Sequence, residues 1–261
     1  MLFQIFKNKI YYSYDEADKN SKNDSIYFSK DYIARNFEKL KNLNKKNFYE
    51  KEYNFFKFIY SIILYDKKKN FSLLDFGSGL GNTILEIYKK GYFHKNLKIN
   101  LFDFNPKLIE ISKKFLKKNF KRNSFKNINF ISDFKKLTKY DAIHFGSMLE
   151  YVYEKERLFE SLFLQLKKKP KYLFFSDLYL TTKCEKDFYC VGKYYNQTYI
   201  VKFHNLKKLE KLLKYYEYKI IDKRLFMPKI QGVYKFFDMN NLPKKNRIYH
   251  TYNIQFEYFR K

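Results

Sequence analysis

Three of the seven glycines in this 261-residue chain fall within five positions, at Gly77, Gly79 and Gly81. They follow an apolar run, Leu73-Leu74-Asp75-Phe76, and precede Asn82-Thr83-Ile84-Leu85. Glycines at a strand-to-helix turn let the backbone bend tightly and let a ligand come close to it. The amides at the start of the helix then face that ligand. A nicotinamide-binding loop would read G-x-G-x-x-G. Here the spacing is G-x-G-x-G, with an acid two residues before the first glycine. Asp75 therefore puts a carboxylate at a strand tip, where a cationic ligand group can sit. Asp103 ends the next apolar run and is placed to accept hydrogen bonds from ribose hydroxyls. Asp133 ends a third run, where an adenine ring would lie. The alternative is an ordinary strand–turn–helix with solvated acids. Three acids at three successive strand tips argue against it.

These residues resemble motif I of the class I S-adenosylmethionine-dependent methyltransferases. That cofactor carries both an ammonium and a sulfonium. The resemblance implies that Asp75, Gly77, Ser78, Gly79 and Gly81 form the cofactor loop. It implies that Asp103, followed by Phe104, is the ribose acid, and that Asp133-Phe134 is the adenine-side segment. The stretch from Asp141 to Tyr151, with His144 and Gly146, looks like the family's fourth strand and following loop. The resemblance covers about residues 70–225. A second one covers Tyr14-Asp15-Glu16-Ala17 and the stretch from Tyr199 to Asn205. These segments are similar to methyltransferases encoded near bacterial surface-polysaccharide genes. The sequence departs from that pattern in having Tyr14 where the family has Trp. It also lacks a Gly-Tyr pair near 25–27. This second resemblance implies a sugar or nucleotide-sugar acceptor, used in capsule or lipopolysaccharide biosynthesis.

Methyl transfer is an in-line displacement that depends mainly on alignment. A hydroxyl acceptor also calls for a general base. Asp177, in Phe175-Ser176-Asp177-Leu178, is expected just after the fifth strand, at the carboxyl edge where open α/β sheets place ligands. His204 precedes a late helix on the same side. His144 lies within the fourth strand, where a core role competes with catalysis. Asp177, His204 and His144 are thus the candidate catalytic residues. Tyr194, Tyr195, Asn196 and Gln197 are expected in a polar loop that contacts the acceptor. No carboxylate cluster or His pair stands at metal-ligand spacing, so no metal is expected.

Positioning these groups requires strands and helices in alternation. Short apolar runs at 71–76, 98–104, 128–131, 140–145, 172–176 and 219–226 read as strands. Amphipathic stretches at 82–90, 106–118, 154–168 and 205–216 read as helices. Gly91 is suited to follow a helix, and Pro106 to open one. The run 248–259 alternates cleanly and reads as an antiparallel last strand. The fold class is α/β: a Rossmann-like, seven-stranded, mostly parallel sheet with its last strand antiparallel. Residues 1–69 form a helical N-terminal lead-in, with helices over 27–43 and 48–65. Residues 70–261 form the methyltransferase domain.

The net charge of +27 comes mostly from lysine, because only six of the 54 basic residues are Arg. Phe (30) and Tyr (27) are as abundant as Ala (three) is scarce. This pattern matches AT-rich codons, so part of the charge reflects codon usage. Arginine forks, on which dedicated RNA readers lean, are scarce. A small-molecule acceptor is therefore expected rather than a nucleic acid. An RNA or protein methyltransferase is the alternative reading, supported by the charge. A non-catalytic scaffold is a third, disfavoured by the intact loop and acids. Cys184 and Cys190 fit no zinc box and suit a reducing cytoplasm. No apolar run is long enough to span a bilayer. A cytoplasmic enzyme is expected, as a monomer or a homo-oligomer.

Overall fold

The computed structural model describes residues 5–21, 33–34, 37–38, 54–65, 67, 70–146, 148–181, 185–194, 197–226 and 250–258. Five parallel strands form its centre: β2 (Phe71–Phe76), β3 (Leu97–Phe102), β4 (Ile128–Ile131), β5 (Ala142–Gly146) and β6 (Tyr172–Thr181). They lie in the order β4-β3-β2-β5-β6. Strand β10 (His250–Tyr258) pairs antiparallel with β6 and with β9 (Tyr218–Phe226).

Adjacent residues of the central strands point to opposite faces, and two cores result. Leu73, Ile99, Ala142 and Phe174 pack with Phe56, Ile84 and Leu116. Those three come from α2 (Asn54–Tyr65), α3 (Asn82–Lys89) and α4 (Pro106–Asn119). Leu74, Ile143, Leu173 and Phe175 pack with Phe159 and Leu209 on the other face. Those two come from α6 (Lys155–Gln165) and α7 (Leu206–Tyr215); α5 (Arg122–Phe125) is a single turn. Helices on both faces explain why these strands read as continuous apolar runs.

Among the described residues the sheet has ten strands: the row β4-β3-β2-β5-β6, continued by antiparallel β10 and then β9, makes seven, and three further strands are added to it. Three of the ten escape the sequence reading. Residues 5–11 belong to a lead-in expected to be helical, yet Ile5–Tyr11 is β1, followed by α1 (Tyr14–Asn20). Strand β1 pairs antiparallel with β7 (Phe188–Tyr194), and β7 with β8 (Gln197–Asn205). The polar loop expected over 194–197 is the tip of that ribbon, with Tyr194 paired to Gln197. Tyr195 and Asn196 lie outside the described residues. Of the helix expected over 48–65, residues 54–65 are described and helical, and 48–53 lie outside the described residues. Of the one over 27–43, only 33–34 and 37–38 are described, and they are helical.

Strand β6 runs to Thr181, five residues beyond the expected end at 176. Its pairing with β5 stops at Gly146↔Ser176. On the same edge, β8 takes over at Leu180↔His204, while β10 holds the opposite edge. The ribbon β7–β8 therefore stands beyond the carboxyl end of β5. Asp177 is not the residue after a strand. It lies within β6, one residue past the last pair with β5.

Candidate active site at the carboxyl ends of the parallel strands

The loop after β2 needs its glycines for different reasons. Gly77, Gly79 and Gly81 all have positive φ, at 76°, 54° and 77°. A Cβ on Gly77 would sit 2.9 Å from Met148 Cβ. One on Gly81 would sit 2.9 Å from Leu116 Cδ1. One on Gly79 would meet nothing within 4 Å. The first and third glycines are thus demanded by packing. The second faces open space, as a ligand cradle requires.

The neighbouring acids are already engaged. Asp103 accepts from the Gly79 amide at 3.0 Å through one oxygen and from the Asn105 amide at 2.9 Å through the other. Burial raises its pKa above the usual carboxylate value, against the lowering effect of these two bonds, and the nearby Asp75 adds to the rise. Asn105 in turn caps α4, accepting from the Lys107 and Leu108 amides. The sheet tip, the glycine loop and the next helix are thereby tied at one carboxylate. Asp133 accepts from the Lys135 amide at 3.0 Å and starts a short 3-10 turn. Phe104 is 54% exposed. Its ring lies parallel to that of Phe134, at 10° and 6.1 Å between centroids. Phe76 and Phe102 pack behind them.

Asp75 is buried, and its main partner is a side chain. His144 Nδ1 lies 2.7 Å from Asp75 Oδ1. His144 Nε2 bonds the hydroxyl of Ser176. Asp75 Oδ2 is buried and has no hydrogen-bond partner among the described residues. A carboxylate oxygen left bare in the core is costly. One placed beside an open glycine loop fits a ligand with a cationic group.

His204 lies apart from this chain and is fully buried. Its Nε2 lies 2.9 Å from the Leu149 carbonyl oxygen and is placed to donate to it. Its Nδ1 is 3.9 Å from Asp187 Oδ2. Burial and the neighbouring Lys155 cation push its pKa down to about 3, so the ring is neutral at pH 7. Asp187 sits among buried cations, with Lys155 Nζ at 2.6 Å and Lys202 Nζ at 3.4 Å. It also accepts from the Asn205 amide. Burial alone would raise its pKa, but Lys155 and these bonds win and hold it at about 2. Lys202 donates to the Tyr153 carbonyl and lies over the Tyr189 ring.

The structure thus brings Asp75, Gly77, Gly79, Gly81, Asp103, Phe104, Asp133, Phe134 and His144 to one sheet edge, and separates His204 from them. Gly146 stands at the end of β5, where a Cβ would lie 2.7 Å from His144 Cε1, so the glycine leaves room for that ring. Two features escape the sequence reading. Ser176 is a polar residue in an apolar strand, on the same face as His144, and that pattern is its signal. The buried Lys155–Asp187–Lys202 group has no local signal.

A family model described as a methyltransferase domain matches residues 67–240. The chain belongs to this methyltransferase family. It is an enzyme, and its cofactor is S-adenosylmethionine. The solved magnesium protoporphyrin IX methyltransferase of Synechocystis shares the fold. With bound S-adenosylhomocysteine it aligns at a TM-score of 0.53 and 11% identity, over 87% of this chain and 96% of that one. With bound S-adenosylmethionine it aligns at 0.51 and 12%, over 90% and 98%. No curated protein sequence matches the methyltransferase. Among the described residues, no helix is long and apolar enough to cross a membrane.

Proposed function

We propose that the methyltransferase acts on a hydroxyl of a sugar or nucleotide-sugar, a small molecule of the cytoplasm used for surface polysaccharide. One observation carries this reading: a tyrosine group beyond the carboxyl end of β5. Tyr151 and Tyr153 are 37% and 46% exposed. The Tyr14 ring, at the start of α1, lies 4.7 Å from that of Tyr153, and Tyr189 backs both. Amphipathic rings that combine an apolar face with a hydroxyl suit a ligand that is itself part apolar face and part hydroxyls. The Tyr14 segment and the stretch from Tyr199 to Asn205 also carry the resemblance to polysaccharide-linked methyltransferases.

On this reading Gly77, Ser78, Gly79 and Gly81 border the cofactor, and Asp75 faces its cationic end. Asp103 accepts from the ribose hydroxyls through its remaining lone pairs. Phe104 and Phe134 border the adenine, with Asp133 at its edge. When bound, S-adenosylmethionine supplies a methyl group activated on a sulfonium. The chain's part is to hold the acceptor in line, to exclude water and to take the hydroxyl proton. We assign that proton to Asp177, which lies beyond the paired end of β5. A base of this kind contributes roughly 10²–10⁴-fold. His204 is a poor base here, since its proton affinity is held far below neutral.

The experiment is a methylation assay against a pool of nucleotide-sugars, read by mass spectrometry, with Asp177→Asn beside the natural protein. A gain of one CH₂ unit on a nucleotide-sugar, lost in Asp177→Asn with cofactor affinity intact, is expected. Methylation of RNA or peptide with every nucleotide-sugar untouched would replace this reading by the alternative one.

A further inference from the structure

We infer that His144, braced by Ser176, is a positioning residue for Asp75: it holds one carboxylate oxygen so that the other is kept for the cofactor's cationic group. The inference rests on the reading of the 75–81 loop as the cofactor cradle.

The three side chains come from three neighbouring parallel strands. Asp75 on β2 pairs with His144 on β5, and Gly146 on β5 pairs with Ser176 on β6. Strand alternation puts Asp75, His144 and Ser176 on one face, in the rows of Leu73, Ala142 and Phe174. His144 and Ser176 are two positions out of register, so the imidazole must lean along the strand to reach the hydroxyl. It leans across Gly146, and the missing Cβ is what makes room. This accounts for a glycine at 146 without any ligand.

The chemistry of the chain has one direction. Asp75 as a carboxylate only accepts, so Nδ1 carries the hydrogen and donates to Oδ1. In the neutral ring Nε2 then accepts, and the Ser176 hydroxyl donates to it. The Asp75 carboxylate thus sets the tautomer, and Ser176, whose hydroxyl can donate, satisfies the nitrogen left over and braces the ring. Oδ1 is spent in this chain, whereas Oδ2 is buried and unpartnered among the described residues. Asp75 also stands near the end of β2, two residues before the first glycine of the loop. A carboxylate fixed from behind, with one oxygen reserved, is pre-organised to receive a charged group with little reordering.

Asparagine and glutamine at 144 separate the two nitrogens. An Asn amide stands near the place of Nδ1 and can still donate to Asp75. A Gln amide stands near the place of Nε2 and can reach only Ser176. Asn leaves a larger gap than Gln at this buried position, so a mere packing role would favour Gln, the reverse of the order expected here. Calorimetry with S-adenosylhomocysteine is the test, with urea unfolding to confirm that each variant is folded. His144→Asn should bind within about threefold of the natural protein, and His144→Gln about tenfold more weakly. In the Asp75→Asn background, His144→Gln should weaken binding by no more than about twofold, because its effect passes through the carboxylate. Equal affinities for the Asn and Gln variants, or losses that multiply fully with Asp75→Asn, would overturn the inference. If the natural protein fails to bind S-adenosylhomocysteine, the cofactor-loop reading falls and this inference with it.

Discussion

The loop after β2 and the ribbon β7–β8 both stand at the carboxyl ends of the parallel strands, yet different forces hold them there. The loop is fixed by backbone: three positive-φ glycines, amide bonds to Asp103, and the Asn105 cap on the next helix. The ribbon is fixed by long-range pairing and by charges buried between it and α6, chiefly Lys155, Asp187 and Lys202. Backbone turns and caps are local and keep their shape when neighbours change. A buried ion cluster depends on every member, because removing one leaves the others uncompensated. The comparison teaches that cofactor binding and acceptor recognition should be separable by mutation.

The largest effect should come from the ribbon. Asp187→Leu strands two buried ammonium groups and should cost about 3–5 kcal/mol in urea unfolding. If folded at low temperature, this variant should still bind S-adenosylhomocysteine within about threefold of the natural protein. A proportionate loss of cofactor affinity would break the separation.

Acid should act on the same cluster. His204 takes a proton below pH 6.5 when unfolded but only near pH 3 when folded. The unfolded chain binds more protons in between, so stability falls as pH drops from about 6.5 to 3. Asp187 adds to this. Its folded pKa of about 2 lies below the ordinary 3.8. It stabilises the fold by roughly 2 kcal/mol above that value, a contribution lost as pH falls through 2. Urea titrations between pH 7 and pH 4 should show the decline, and His204→Gln should flatten it. An equally steep decline in that variant would remove His204 as its source.

In the other region, Asp103→Ala should weaken S-adenosylhomocysteine binding by about tenfold to a hundredfold. Calorimetry reads this directly, and an unchanged dissociation constant would take Asp103 out of the site. The smallest effect should be that of Tyr153→Ala: a several-fold rise in acceptor KM, with cofactor affinity unchanged.

The same contrast explains what could be read from the sequence. The strand Ile128–Ile131 and the starts of the helices at Asn82, Pro106 and Leu206 were legible because glycine, proline and Asn caps act within a few residues. Strands β1, β7 and β8 were not. They are rich in Lys, Tyr and Asn, and their apolar faces appear only once each is paired with a distant partner. The extension of β6 was missed for the same reason, since β8 and β10 support it from afar. At the site, the loop and Asp103 were legible from glycine spacing and strand ends. The bond of Asp75 to His144 was not, because it needs the register of β2 with β5.

The most direct test of the central claim compares two glycines. Gly79 and Gly91 both have positive φ, at 54° and 78°, and a Cβ on either meets nothing within 4 Å. Alanine at each should therefore cost a similar 1–2 kcal/mol or so of stability, from backbone strain alone. Only Gly79 lies in the proposed cradle. Calorimetry with S-adenosylhomocysteine should find Gly79→Ala weakened by about tenfold or more and Gly91→Ala unchanged. Equal affinities in the two variants would mean that the cofactor does not lie against the 75–81 loop.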